Sequence, residues 1–379
     1  ARCLQKIFLS KNDIFIKEEL KKFLSSVSIK LGGPSQVVTN NGEEWKRHRK
    51  VINPIFNQTW NTRLFGSCAQ DLIEEWAKED GKEVKVRDLI QRMTLDVFGK
   101  AIFDINFDVD DLKLFRRTEL DNKLNEYLDF VQSIINKKKE ELQIDSEKSG
   151  DNLVSAFLKS NEKTDDQKLT MEEIRDNLLV FIIAGHDTTS NALTSTLYYL
   201  ARYPEIQDKL RAQVLEALGN PSSVQIPNVK QLKNIPLLDM VNKESMRIMT
   251  TAAAVTRTAV QDCALINGLT IPKGTKVMVN LWGIHHNDKA FKNPEEFNPY
   301  RFESLTTEDS RNWQPFITGA RTCVGNTFSL VEQRVTIAML LQKFEFSIDS
   351  NNPDFHSLRL TQGSIIRPID LHLKVKVRN

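Results

Sequence analysis

The sequence predicts a mainly α-helical protein with small β-sheets, and three observations support this prediction. Apolar residues recur at helical spacing over the first two thirds of the 379-residue chain. The stretch between Thr170 and Pro204 contains no proline and can form roughly 48 Å of helix at 1.5 Å per residue. Alternation of the strand type is found only beyond Val255.

Composition limits both the number of domains and the class of partner. No clear linker divides the chain, so we expect a single domain over residues 1–379. The 52 basic and 50 acidic side chains leave a formal charge of +2, which argues against a protein that holds a nucleic-acid backbone. The four cysteines stand far apart and form no C-x-x-C pair, so neither a zinc ribbon nor a dithiol site is expected.

Three helices are predicted ahead of the long one. The first covers residues 43–56 and follows the helix-breaking run Asn40–Gly42. The side chains that mark one face of it lie four, three and four residues apart: Trp45, Arg49, Ile52 and Phe56. Residues 91–103 and 119–142 show the same periodicity, and the run Lys137–Lys139 is interpreted as a solvated helix end.

The long helix begins with a capping box, in which Thr170 is the N-cap residue and Glu173 reaches back to it. Its middle, Leu178–Gly185, is apolar on all sides but is far shorter than the roughly 20 residues that a membrane-spanning helix needs. A helix of this kind normally lies in the core of a large domain. We therefore expect it to run through the centre of the molecule.

The last third combines strands with one helix. Residues 264–271 predict a hairpin with Asn267-Gly268 as a type I′ turn. A helix is predicted over about 326–342. Near the C-terminus, apolar and polar residues alternate as in a strand, and the apolar positions are Leu371, Leu373, Val375 and Val377.

One cysteine stands where chemistry is expected. Cys323 lies between Gly319 and Gly325, directly ahead of the predicted helix 326–342. Glycines allow the backbone to turn tightly around the sulfur, and the N-terminus of a helix stabilises a thiolate. From these residues alone, Cys323 is a metal ligand, a nucleophile or an inert buried cysteine.

The residues around this cysteine resemble a known family. Phe316–Gly325 carries the pattern F-x-x-G-x-R-x-C-x-G, which is similar to the haem-ligand loop of the cytochrome P-450 superfamily, the haem-thiolate monooxygenases. Residues 184–189, with the sequence AGHDTT, resemble the oxygen-activation segment of that family. Trp45 and Arg49 match its W-x-x-x-R pattern, and the motifs occur in the family's order.

A further motif resembles the structural lock of the same family. Glu244 and Arg247 are three residues apart, so they can pair on one helix face. In the family such a pair joins a second arginine, here Arg301, in a buried cluster beneath the haem loop. The resemblance therefore implies a structural and not a catalytic role for these residues.

The resemblance implies a cytochrome P-450-like fold in which the long helix lies over a b-type haem. Cys323 would ligate the iron as a thiolate, and Asp187 and Thr188 would pass protons to bound oxygen. The other residues implied to bind the cofactor are Trp45, Arg49, Ala184, Arg257, Phe316, Arg321, Val324 and Gly325. Among these, four would hold the haem propionates: Trp45, Arg49, Arg257 and Arg321.

The resemblance also implies a reaction and its partners. Electrons from NADPH would arrive through a flavoprotein reductase, or else a ferredoxin, and one atom of O₂ would enter a small apolar organic substrate. A basic face with Lys46, Lys50 and Arg334 would meet an acidic reductase. The motifs are of the microsomal type, so the intact protein is expected on the cytosolic face of the endoplasmic reticulum, held by an N-terminal anchor outside this chain.

Two departures from the family pattern leave other functions open. The chain shows no counterpart of the family's first β segment before the Trp45 helix, and it offers one helix, 119–142, where the family has two lid helices. The alternatives are a haem-thiolate isomerase or dehydratase of hydroperoxides, which needs no external electrons, and an inactive truncated chain that binds haem. The Asp187-Thr188 pair favours the monooxygenase.

Overall fold

The computed structural model describes residues 14–17, 32–107, 124–144, 152–164, 167–219, 223–265, 268–304, 310–363 and 365–378. The helices are α1 Gly42–Phe56, α2 Thr62–Ala77, α3 Val86–Phe98, α4 Leu124–Ile144, α5 Leu153–Asn161, α6 Met171–Arg202, α7 Pro204–Leu218, α8 Val229–Lys233, α9 Pro236–Ile248, α10 Leu281–His285 and α11 Asn326–Lys343. A π-helical turn, Gly99–Phe103, extends α3, and a 3₁₀ turn covers Pro299–Phe302.

The strands form small antiparallel sheets. They are β1 Phe15–Ile16, β2 Glu83–Lys85, β3 Ala254–Ala259, β4 Cys263–Ala264, β5 Thr270–Ile271, β6 Lys276–Asn280, β7 Phe344–Ser347 and β8 His372–Val377. The strand orders are β1-β3-β6, β2-β8-β7 and β4-β5. The prediction of a mainly helical fold with small sheets is therefore confirmed.

Helix α6 lies at the centre of the core, as predicted. Its capping box is formed, because Thr170 Oγ1 accepts from the Glu173 backbone N–H at 3.2 Å and Glu173 Oε2 accepts from the Thr170 backbone N–H at 2.9 Å. Helices α3, α4, α7, α9 and α11 all pack against it. A Cβ atom on Gly185 would lie 2.2 Å from the Phe98 ring, so glycine is required where α3 crosses most closely.

Several boundaries differ from the predicted ones. Helix α3 begins at Val86, ahead of the predicted residue 91, because the short strand β2 ends directly before it. Strand β1 precedes the Trp45 helix, where no strand was predicted, and it pairs with β3. The predicted hairpin is confirmed by the pairing of β4 with β5, whereas Asn267 of its predicted turn lies outside the described residues.

The segment between the π-helical turn, which ends at Phe103, and α6 contains two described helices where one was predicted. The predicted helix 119–142 corresponds to α4, and its first residues lie outside the described ranges. The unpredicted helix of this segment is α5, which is nine residues long and has Asn152 as its N-cap residue, whose side chain accepts from the Ser155 N–H at 3.0 Å. Such a short helix presents too few turns for its periodicity to be recognised.

One charged side chain is buried contrary to prediction. Lys138, the middle residue of the run interpreted as a solvated helix end, is only 2% exposed. It donates to Asp104 at 3.1 Å and contacts Glu141 at 2.5 Å, so the two carboxylates compensate its burial. Among the described residues, no helix combines the length and apolar character needed to cross a membrane.

Glu332 of α11 is a buried acid for which the described part of the chain offers no hydrogen-bond partner. It has no exposed surface, and neither of its carboxylate oxygens has a hydrogen-bond partner within the described part of the chain. Burial raises the pKa of its carboxyl well above the usual 4.5. The unfolded chain therefore releases this proton at a lower pH than the folded protein does, so Glu332 destabilises the fold increasingly as the pH rises above about 4.5.

We expect Glu332→Gln to gain free energy of unfolding over the parent protein as the pH rises, so that this gain is larger at pH 8 than at pH 4. The amide keeps the shape of the acid but has no proton to lose, so the pH-dependent loss disappears. Urea unfolding at pH 4, 6 and 8 measures the difference, with the exposed Glu303→Gln as the control. A difference between Glu332→Gln and the parent that stays constant with pH would contradict the assignment.

Candidate functional site

The loop before α11 presents Cys323 at the protein surface. The Cys323 N–H donates to Phe316 O at 3.0 Å, and the Thr322 N–H donates to Gly319 O at 3.0 Å, so the loop folds back on itself. Gly319 has φ +82°, a backbone conformation that favours glycine. The cysteine is solvent-accessible, yet the surrounding protein raises the pKa of its thiol, while the Gly325 N–H and Arg49 act in the opposite direction.

The middle of α6 contributes the second accessible surface. Its residues from Asp176 to Ala201 are mostly buried, but Ala184 and Thr188 are exposed one turn apart. The Thr188 hydroxyl donates to Ala184 O at 2.9 Å, which leaves its oxygen able to accept. An exposed patch halfway along a core helix indicates that the helix borders a concavity there.

Contacts join this helix to the cysteine loop. The Phe56 ring stacks on Phe181 of α6 with centroids 5.5 Å apart, and a Cβ atom added to Gly325 would lie 3.8 Å from the same Phe56 ring. Behind the patch, the Thr189 and Ser329 hydroxyls are 3.0 Å apart. The structure therefore brings the oxygen-activation-like segment and the cysteine loop onto adjoining elements.

Asp187 has a different neighbourhood from Thr188. Arg87 of α3 donates to Asp187 Oδ1 at 2.7 Å, and both side chains are 16% exposed. The same guanidinium donates through Nε to Asn191 Oδ1 at 3.3 Å. In the structure the Asp187 carboxylate is held against α3, whereas Ala184 and Thr188 remain exposed.

Four cations gather beside the cysteine loop. The Arg321 guanidinium lies 4.2 Å from the Trp45 ring centroid and donates to Asn40 O at 2.8 Å. Arg49 lies 5.9 Å from the same ring and donates to Thr322 O at 3.4 Å. The other two cations are Arg257, which is 2% exposed, and Lys17.

Lys17 shows that this cluster carries an excess of positive charge. Burial, followed by repulsion from Arg257 and Arg321, lowers the pKa of its ammonium to about 7. Both charges that act on it are positive, so a ligand with two carboxylates would relieve the repulsion. A thiol beside a site for two carboxylates is the donor set that haem requires, so the residues present fit this cofactor.

The remaining predicted residues lie in or beside the same loop. Phe316 accepts from Cys323 and packs edge-on against Trp313 with centroids 6.1 Å apart. Val324 is partly buried against the main core, and Gly325 is the N-cap residue of α11. The sequence analysis missed Lys17, because a single lysine far from every motif carries no pattern that would single it out.

The predicted Glu–Arg–Arg cluster is confirmed. Glu244 and Arg247 have no exposed side-chain surface and pair through Arg247 Nε at 2.8 Å. Arg301 Nε donates to Glu244 Oε1 at 2.9 Å, and the Asn298 N–H donates to the same oxygen at 2.9 Å. Arg247 also donates to His285 O at 2.7 Å, so the cluster ties α9 to the segments that precede the cysteine loop.

The fold and the site together indicate that this chain belongs to the class of haem-thiolate proteins. The family model described as Cytochrome P450 matches residues 4–133 and 115–374. The chain therefore belongs to the cytochrome P450 family, the superfamily that the Cys323 loop resembles.

Individual relatives are similar at modest identity. A cytokinin hydroxylase of Arabidopsis thaliana is 30% identical, with 82% of this chain and 66% of that protein aligned. Cytochrome P450 4F12 of Homo sapiens is 28% identical over 84% of this chain and 69% of its own length. The chain thus spans about two thirds of the length of these relatives. The crystal structure of the cytochrome P450DA heme domain superposes with a TM-score of 0.81 at 23% identity, covering 100% of this chain and 85% of that one.

Proposed function

We propose that the protein is a haem-dependent monooxygenase. One molecule of O₂, one NADPH and one proton would convert a C–H bond of the substrate into C–OH, with water and NADP⁺ as the other products. The observation that supports this most directly is the accessible Cys323 in a family-type loop beside four clustered cations. Bound haem b supplies the activation of O₂, which no side chain of this site provides.

Cys323 would bind the haem iron as a thiolate. Its loop is fixed by the hydrogen bond to Phe316 O, and the Gly325 N–H stabilises negative charge on the sulfur. Binding to a metal ion removes the thiol proton outright, which overcomes the raised pKa of the Cys323 thiol. Phe316, Val324 and Gly325 of the same loop would help to hold the haem, and the small side chain of Ala184 would leave room for a ligand.

The cationic cluster would hold the two haem carboxylates. Arg321 stacks on Trp45 and Arg49 lies near the same ring, so both guanidinium groups are oriented before any ligand binds. Arg257 and Lys17 would supply the further positive charge. We assign Lys17 to this set in addition to the residues that the sequence analysis named.

Thr188 and Asp187 would supply the protons that the reduction of O₂ consumes. The Thr188 hydroxyl is accessible and can both accept and donate a hydrogen bond. The Asp187 side chain is held by Arg87 and is 16% exposed, so it is accessible to water and would pass protons on to Thr188.

We expect Thr188→Ala to lower the product formed per NADPH at least about tenfold, because positioned proton transfer contributes about 10²–10⁴-fold in enzymes. The missing product should appear as hydrogen peroxide, and the haem should still bind. Thr194→Ala is the matched control, since Thr194 donates to its own i−4 carbonyl at 2.7 Å on the same helix but is buried. Unchanged coupling in Thr188→Ala would contradict the relay role.

The substrate and partners are proposed at the level of their chemistry. A cytokinin hydroxylase and a mouse protein named leukotriene-B4 omega-hydroxylase 3 are among the relatives, which supports hydroxylation of a small, largely apolar organic molecule. Electrons would come from an NADPH-dependent flavoprotein reductase, with a ferredoxin as the alternative, and the intact protein would work at the endoplasmic reticulum membrane. Two side chains of the expected reductase face have acidic partners, since Lys46 pairs with Glu43 and Arg334 with Asp239.

The decisive experiment is the difference spectrum of the dithionite-reduced, haem-reconstituted protein with and without carbon monoxide. A strongly red-shifted Soret band would support thiolate ligation. NADPH-dependent turnover with a reductase then distinguishes the monooxygenase from the alternatives, because an isomerase or dehydratase would consume a hydroperoxide without NADPH. Haem uptake without either activity would favour an inactive chain.

A further inference from the structure

Asn41 occupies the N-cap position of α1 but does not cap the helix. Its backbone is extended, with φ −123° and ψ 170°, as an N-cap residue requires. Asparagine is among the preferred N-cap residues because its side-chain oxygen accepts from the first turn of the helix. In α1 the Asn41 side chain forms no such bond, which leaves its amide available for contacts outside the helix.

The amide of Asn41 instead joins two distant segments. Its Oδ1 accepts from the Lys17 N–H at 2.9 Å, and its Nδ2 donates to Lys17 O at 3.0 Å. Arg321 Nη2 donates to the same Oδ1 at 3.1 Å. One side chain therefore clamps the backbone of Lys17 and orients the guanidinium of Arg321.

The clamp continues the register of the neighbouring sheet. Phe15 pairs with Ala259 and Ile16 with Thr258, so the next position along β1 lies opposite Arg257. Strand β1 ends at Ile16, and at the next position the Asn41 side chain forms hydrogen bonds with the backbone N–H and C=O of Lys17. The result is that Lys17 is anchored within the reach of both Arg257 and Arg321.

We propose that Asn41 is a positioning residue that holds Lys17 and Arg321 in the cationic cluster assigned to the haem carboxylates. This inference rests on the proposed function and deepens it.

The physical reason is the repulsion within the cluster. A lysine has a flexible stem and is strongly hydrated, so next to two guanidinium groups an unrestrained ammonium would turn towards water. Burial contributes most to the lowered pKa of Lys17, and repulsion from Arg257 and Arg321 lowers it further. A clamp on its backbone limits how far the ammonium can withdraw, and the same amide fixes one nitrogen of Arg321.

The test compares haem retention with stability in Asn41→Ala and Asn41→Ser. We expect haem transfer to excess apomyoglobin to be about tenfold faster in both, because each loses hydrogen bonds that hold the cations in place. Asn41→Ser should melt at the same temperature or higher, since serine can cap α1 but is too short to reach Lys17 and Arg321. The control is Asn57→Ala, at the exposed opposite end of the same helix.

A double variant separates positioning from a general structural effect. If Asn41 acts partly through Lys17, Asn41→Ala combined with Lys17→Met should lose haem more slowly than the product of the two single effects predicts. Haem loss within twofold of the parent in both Asn41 variants, or full additivity with Lys17→Met, would overturn the inference. Absence of a red-shifted carbon monoxide band in the parent protein would instead overturn the proposed function, and the inference with it.

Discussion

Replacing Cys323 with serine is expected to abolish the strongly red-shifted Soret band of the reduced, carbon monoxide-bound protein. A serine hydroxyl does not ionise at neutral pH and donates far less electron density to iron than a thiolate does. The loop should keep its shape, because its hydrogen bond to Phe316 O comes from the backbone N–H of residue 323. Haem binding should therefore persist in weakened form, with NADPH-dependent turnover lost.

The comparison needs a second cysteine variant. Cys263→Ser is the control, since Cys263 is buried in an apolar cluster at the β4–β5 hairpin and its thiol donates to Ala264 O at 3.8 Å. Its carbon monoxide spectrum should match that of the parent protein. A red-shifted band retained in Cys323→Ser would exclude this residue as the ligand, and the remaining cysteines would then have to be tested.

Replacing Glu244 with glutamine is expected to lower the free energy of unfolding by about 3–5 kcal/mol, the usual cost of removing one partner from a buried ion pair. The variant leaves the guanidinium groups of Arg247 and Arg301 without their shared carboxylate. Glutamine also offers two N–H donors where Glu244 accepts from Asn298 and both arginines. Urea unfolding followed by circular dichroism measures the loss.

An exposed glutamate from the same region provides the reference. Glu295 is 77% exposed and pairs with His286, so Glu295→Gln should change the free energy of unfolding by less than about 1 kcal/mol. Equal effects of the two substitutions would mean that the Glu244 cluster does not stabilise the fold. If Glu244→Gln fails to fold, limited proteolysis of the expressed protein distinguishes this result from poor expression.

Local patterns in the sequence predicted a large part of this fold. The capping box at Thr170 fixed the start of α6, and the absence of proline up to Pro204 fixed its length. The prediction missed elements whose signal is short, such as α5 and β1, and it also missed the longer helices α2 and α7. It also failed for Lys138, whose burial is compensated by two carboxylates. One belongs to Glu141 of the same helix, but the other belongs to Asp104, which lies outside that helix.

The candidate site divides in the same way. The sequence by itself determined the Cys323 loop and the AGHDTT segment, because the spacing within each is set by a few consecutive residues. The tertiary structure decided that Lys17 and Asn41 meet Arg321, and that Asp187 faces Arg87. These contacts join residues up to 280 positions apart, and their geometry depends on how helices and sheets pack, which no local spacing encodes.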